Sequence, residues 1–473
     1  MNDRRNIWAL VAVALATFMT YLDNNIINVA IPVIERDLHL TTSGMEWIVS
    51  SYILTFAGLM LVGGRLADLF GRRRLFLVGL GVFTLASLAA GLSGDVGTLI
   101  ASRAVQGVGA ALLTPTTLAI ISATFTDKRE RNVAVGIWGA VGALALAAGP
   151  LLGGLLSEHV AWEWIFFINV PLGLITAGIA TWAIDESRDP VTRKLDLSGL
   201  LASTIALSAL TYALIEGISR GWTSTPIMAA FVVAAAAGAA FVSIERTATD
   251  PMVDLALFRD RVFTGAIVSL MLWAFGLFGI YFFTSLYLQG VLGFSPTRAG
   301  MTFVPMALFM AVAAATSEGV ARRFGAHRSV TFGMALMGTA IASLALLGAD
   351  AGAMDLMPSF IAIGIGGGLT IPLTATVLGV MPADQAGVAS GVFNTSRELA
   401  GLLGITVIGV ILSSREDSLI ASGHTPVDAY LGGYRFGLVI AGLLVVAGAV
   451  AAWAALRKAE DEPVLNEDVL VGV

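Results

Sequence analysis

A chain of 473 residues with 57% hydrophobic and only 13% charged positions cannot build a water-facing surface, which ordinarily needs about a quarter of its residues charged. Its mean hydropathy of +0.85 makes lipid the solvent for most of its length. The formal net charge of −6 argues against a nucleic-acid partner, and the absence of cysteine excludes disulfides, thiolate metal centres and redox cysteine chemistry.

Arg4 and Arg5 precede an apolar run from Ile7 to about Ile34. That run is too long for a secretory leader and has no small-x-small cleavage site, so it reads as the first membrane span. A span needs about 20 mostly apolar residues. Fourteen are expected, near 7–33, 46–68, 75–93, 97–122, 132–156, 164–184, 197–216, 226–244, 262–286, 297–320, 329–349, 355–380, 387–412 and 433–456. An even number puts both termini on one side. With the N-terminus cytoplasmic, Arg36, Arg220, Arg298, Arg415 and Arg435 fall outside, and Arg65, Arg103 and Arg397 fall within spans. The other nineteen of the 27 Lys and Arg residues then lie in cytoplasmic segments, which fixes the expected orientation by the positive-inside rule.

The segments GRLADLFGRRR (Gly64 to Arg74) and EGVARRFGAHR (Glu318 to Arg328) share a Phe-Gly pair and trailing basic residues, 254 positions apart. Each closes the second span of a six-span set, so an internal repeat is expected. The division that follows is a six-helix bundle over 1–187 and a two-helix insert over 188–258 (spans seven and eight). A second bundle covers 259–457, and an acidic cytoplasmic tail over 458–473 is expected to be disordered.

Charged groups inside spans are expensive, and they mark a cavity, a partner or a pathway. Asp23 lies past the middle of span one. A carboxyl group in low dielectric there is a candidate for proton exchange, or else a structural acid hydrogen-bonded by Asn24, Asn28 or a neighbouring helix. Arg103 in span four cannot readily deprotonate and needs an anion, water or carbonyls. Arg397 and Glu398 lie near mid-depth in span thirteen. Successive helical residues point about 100° apart, so these two are not expected to pair with each other. Gly149, Pro150, Gly153 and Gly154 give span five a small-residue face and a helix breaker, suited to close packing or to a hinge. Glu318 reads as the partner of Arg322, one turn away. The four histidines, His39, His159, His327 and His424, fall in loops. No phosphate-binding G-x-x-x-x-G-K-[ST] loop and no H-E-x-x-H occurs, which excludes a built-in ATPase and leaves an ion gradient as the energy source.

The motifs in order carry a family resemblance. Leu22-Asp23-Asn24-Asn25 through Pro32 resembles the first-span motif of the fourteen-span drug:proton antiporters, a branch of the major facilitator superfamily. Gly64 to Arg74 resembles that superfamily's loop between spans two and three. Arg103 to Gly109 resembles its fourth-span motif, and Gly149-Pro150 through Gly154 its antiporter motif. Trp162 to Pro171 and Tyr287 to Pro296 also resemble the branch. Glu398 departs from the pattern, which usually has Gln there.

The resemblance implies an all-α polytopic membrane protein with the major facilitator fold, two six-helix bundles plus two extra helices. It implies a proton-coupled exporter of drugs, antibiotics or natural products, in a bacterial cytoplasmic membrane, without cofactor, metal, nucleotide or nucleic acid, and monomeric. Asp23, Arg103, Arg397 and Glu398 are then the coupling residues. Asn24, Asn25, Asn28, Gln106, Trp273 and Asn394 are expected at the substrate cavity. Gly64, Asp68, Gly71, Arg72, Gly149, Pro150, Gly153 and Gly154 belong to the conformational motifs. Asp68 is expected to dock at the N-terminus of span thirteen, near Gly387, in the outward-facing state. A solute/proton symporter or metabolite exporter on the same fold is the alternative. A membrane enzyme or sensor would need a catalytic cluster or an output domain.

Overall fold

The computed structural model describes residues 2–188, 196–249, 251, 253–374 and 386–461. Among these, every regular element is helical. Backbone polar groups have no water to bond in hydrocarbon, and a helix satisfies them within its own segment. Among the described residues thirteen helices are long and apolar enough to cross a membrane, and the bent pair Thr42–Met60 and Val62–Phe70, kinked by 51°, supplies a fourteenth. The expected ends of span twelve and of the tail, together with Arg193 and Lys194, lie outside the described residues.

In chain order the first bundle holds α1 (Asn2–Leu38), α2 (Thr42–Phe70), α3 (Arg72–Gly91), α4 (Val96–Thr124), α5 (Lys128–His159) and α6 (Trp164–Ala183). Two further helices follow, α7 (Leu197–Arg220) and α8 (Thr225–Thr247). The second bundle holds α9 (Arg261–Leu286), α10 (Pro296–Phe324), α11 (Ala326–Ser343), α12 (Ala353–Gly368), α13 (Ala386–Ala421) and α14 (Pro426–Asp461). Their starts are chemically marked. Thr41, Asp95, Asp127 and Ser295 each accept a backbone N–H of the following first turn. Prolines 32, 115, 150, 305 and 358 sit inside helices, where neighbouring spans compensate for the lost backbone bond.

The packing repeats. In the first bundle α1 packs on α5 and α6, α4 packs on α2 and α3, and α3 packs on α6. The same contacts recur eight helices later: α9 on α13 and α14, α12 on α10 and α11, and α11 on α14. The turn glycines recur as well. Gly71 and Gly325 take φ of 108° and 91° as they end α2 and α10, a backbone region that a side chain disfavours.

The bundles meet along two seams, α5 with α10 and α2 with α13. The close contacts of the first lie at the end of the molecule opposite the arginine-rich turns. There a Cβ on Gly154 would strike the Pro296 carbonyl, and one on Gly300 would strike that of Pro150. The Glu158 carboxylate accepts the Thr297 backbone N–H at 2.8 Å. Gln289, in the π turn Tyr287–Val291, donates to the Val29 carbonyl at 2.8 Å. Helix α7 lies on both α2 and α13, against the second seam. Its Glu216 carboxylate holds Ser43 Oγ at 2.8 Å and Trp47 Nε1 at 3.0 Å, fixing the insert to the end of α2.

Candidate transport site

The first bundle buries a charge cluster at its centre. Asp23 on α1 faces Arg103 and Gln106 on α4, two residues three apart and therefore on one face of that helix. Asp23 Oδ2 accepts from Arg103 Nη1 at 2.5 Å, and both side chains are fully shielded. Asp23 Oδ1 accepts from Gln106 Nε2 at 2.7 Å and from Asn169 Nδ2 at 3.1 Å. Ser87 Oγ on α3 ties both amides together, at 2.8 Å from Gln106 and 2.9 Å from Asn169. Arg103 also donates to Gln106 Oε1 at 2.7 Å and to the Ile48 carbonyl at 3.3 Å, and its guanidinium lies 4.3 Å above the Tyr52 ring. A buried ion pair stands only when its remaining lone pairs and protons are hydrogen-bonded, and here most are. Arg103 Nη2, Asn169 Oδ1 and the Tyr52 hydroxyl are buried without a hydrogen-bond partner among the described residues.

Gln106, expected at the cavity, is enclosed in this cluster instead. Ser87 and Asn169 were not singled out from the sequence. Asn169 lies within the recognisable Ile168–Pro171 stretch, so its polarity in an apolar helix entry was the available signal. Ser87 gave none, because a lone serine in a span usually bonds its own helix.

Arg397 and Glu398 require a correction. They do pair: Arg397 Nη2 and Nε approach Glu398 Oε1 at 2.7 and 3.1 Å. Their Cα–Cβ bonds diverge, but the three-methylene stem of arginine curls back, and in low dielectric the adjacent carboxylate is a strong attraction. Glu398 is buried and its Oε2 has no partner among the described residues. The Tyr21 hydroxyl of α1 lies beside Arg397. Tyr52 stands within electrostatic reach of both Asp23 and Glu398, and so lies between the charge clusters of the two bundles. Asn394 lies one turn before Glu398 on the same face of α13. Trp273 Nε1 on α9 is buried and unpartnered among the described residues.

The remaining first-span amides are committed locally. Asn25 donates to the Tyr21 carbonyl at 2.7 Å, and Asn28 to the Asn24 carbonyl at 3.3 Å. Asn25 also packs on α5, where a Cβ at Gly149 would come within 2.7 Å of its own Cβ. Gly153 is tight against the Ile26 carbonyl, whereas Gly154 faces α10. The small-residue face of α5 thus serves two partners, α1 within its bundle and α10 across the seam.

At the arginine-rich end, Asp68 is half-exposed and accepts from Arg72 at 3.1 Å. A residue that sequence reasoning passed over organises this turn. The Glu186 carboxylate accepts the backbone N–H groups of Arg73 and Arg74, each at 3.2 Å. It caps the positive end of α3. A Cβ on Gly71 would collide with it, which gives that glycine a second reason besides its φ. Gly64 faces Pro115 of α4 at ordinary contact distance.

Comparison with known proteins agrees with this architecture. The sequence is 34% identical over 416 residues to the multidrug resistance protein Stp of Mycobacterium tuberculosis, covering 87% of this chain and 77% of that one. It is 36% identical over 409 residues to the tetracenomycin C resistance and export protein of Streptomyces glaucescens, covering 86% and 76%. The fold matches the crystal structure of a bacterial homolog to the human lysosomal transporter Spinster with a TM-score of 0.69 at 17% identity, over 97% of this chain and 98% of that one. The profile of the Major Facilitator Superfamily matches residues 13–405, and it is to this superfamily that the chain belongs.

Proposed function

We propose that the protein exports small organic molecules from a bacterial cytoplasm in exchange for protons, by alternating access, as a monomer with both termini cytoplasmic. The observation that carries this reading is the sealed Asp23–Arg103 pair with its amide and hydroxyl partners. The names of the relatives, resistance and export proteins, support the cargo class. With the arginine-rich turns read as the cytoplasmic end, the closed seam between α5 and α10 is the periplasmic one, which supports an inward-facing reading of this state.

Arg103 keeps its proton, so the cluster is neutral while Asp23 is ionised. A proton on Asp23 cancels its charge and leaves Arg103 with an uncompensated positive charge. Arg103 then turns to Gln106 Oε1 and the Ile48 carbonyl, which it already touches. The extra positive charge and the freed donors change how the cavity holds cargo, so proton and cargo compete for one site. Glu398, with its unpartnered oxygen, is the second exchangeable carboxyl group. Asp68, paired here with Arg72, docks at α13 when the cytoplasmic ends come together.

A toxicity panel in a pump-deficient bacterium tests the reading. Wild type should raise the tolerated concentration of at least one lipophilic antibiotic several-fold, and Asp23→Asn, expressed at equal level, should not. Equal protection by both would remove the coupling role of Asp23.

A further inference from the structure

One buried acid has no part in the network above. Glu46 lies one turn into α2 and is 4% exposed, at the periplasmic end of the seam with α13. Among the described residues no hydrogen-bond donor and no cation reaches its carboxyl group. It rests on Gly409 of α13. A Cβ at 409 would strike Glu46 Oε1 and come within 3.2 Å of the Phe283 ring. The closed seam thus holds a nearly buried, unpaired carboxyl group against a bare stretch of the opposing helix.

Its charged surroundings do not change this. Arg103, whose Nε bonds the carbonyl of Ile48 two residues on, is already paired with Asp23. Glu216 of α7 is held by Ser43, Trp47 and Arg220. On α13, Glu416 lies two turns outward from Gly409, and the Arg397–Glu398 pair lies three turns inward. Glu35 of α1 adds negative charge toward the periplasm. Tyr430 of α14 donates to the Phe283 carbonyl. An ionised carboxylate so little exposed and without a partner carries a desolvation cost, and protonation removes it.

We propose that Glu46 is a proton-binding site of the periplasmic gate. It is neutral when α2 closes on α13 and ionised when the seam opens to water. The proton enters from the periplasm and leaves to the periplasm, so it is not transported. It makes external acidity favour the inward-facing state, in which cargo is loaded. The proposal rests on the alternating-access reading above, but not on Asp23 as the coupling residue.

The chain has no cysteine, so spin labels can be placed at Thr42→Cys and Ser418→Cys, exposed positions near the periplasmic ends of α2 and α13. Distances are measured on the full chain in nanodiscs from pH 8 to pH 5. The closed state binds one more proton than the open state. The closed-to-open ratio should therefore rise as pH falls, by up to about tenfold per pH unit. Glu46→Gln should be closed and flat across the range, and Glu46→Asp should keep a pH response. Gly409→Ala, whose methyl group would strike the Glu46 carboxyl group and crowd the contact, should shift the population toward open. Asp23→Asn should retain the response. A wild-type response that survives in Glu46→Gln, is lost in Asp23→Asn, or is absent altogether would overturn the proposal. Proton release on addition of cargo to liposomes is unaffected by this outcome, so failure of the gate and failure of the coupling reading are separately visible.

Discussion

Asp23 on α1 and Arg103 on α4 meet at 2.5 Å with no solvent exposure on either side chain. Removing one member of such a pair leaves a buried charge unbalanced, at a cost of about 3–5 kcal/mol. Arg103→Ala should therefore melt well below wild type. Asp23→Asn combined with Arg103→Ala should recover part of that loss, because the charge left behind is gone. Thermal melts of the four proteins in one detergent check this. Strictly additive losses would mean that the two groups do not couple.

Gly154 and Gly300 let α5 and α10 approach backbone to backbone at the seam between the bundles. Gly300→Ala places a methyl group against the Pro150 carbonyl and should bias the molecule toward opening there. A cysteine introduced along that seam should react with a membrane-impermeant thiol reagent several-fold faster in this variant. No change in rate would show that the seam has room to spare.

How much of this was legible in the sequence depends on what each residue signals alone. The helix count, the repeat and the buried charges of α1, α4 and α13 stand out, because ionised groups in apolar runs are rare. Glu46 did not. The span was expected to begin at Glu46 itself, where an acid reads as an interface residue, but α2 starts at Thr42 and draws it inside. Glu186 was hidden for the opposite reason: it sits in a polar stretch where one more acid means nothing until the fold brings it to the start of α3. The Arg397–Glu398 pair was misjudged because helical direction was weighed and side-chain length was not.

Glu398→Gln removes the acid of that second pair while keeping its shape. It should lower the number of protons moved per cargo molecule, measured as the reversal potential of liposomes under opposed proton and cargo gradients. An unchanged ratio would assign Glu398 to holding Arg397 in place.

Glu216 joins the insert to α2 through Ser43 and Trp47. Glu216→Ala leaves both donors short of an acceptor, at about 1–3 kcal/mol for buried groups. It should loosen α7 from α2, seen as faster proteolysis or hydrogen exchange across 197–220, with the proton-to-cargo ratio intact. Exchange rates equal to wild type would show that apolar packing alone seats the insert.

The central claim is that cargo and a proton exclude each other at Asp23. Purified protein in weakly buffered detergent with a pH indicator tests it directly. Addition of a transported compound should release protons from wild type in proportion to occupancy, and that release should be lost in Asp23→Asn. Binding of the compound to wild type with no proton released, or undiminished release from Asp23→Asn, would contradict it.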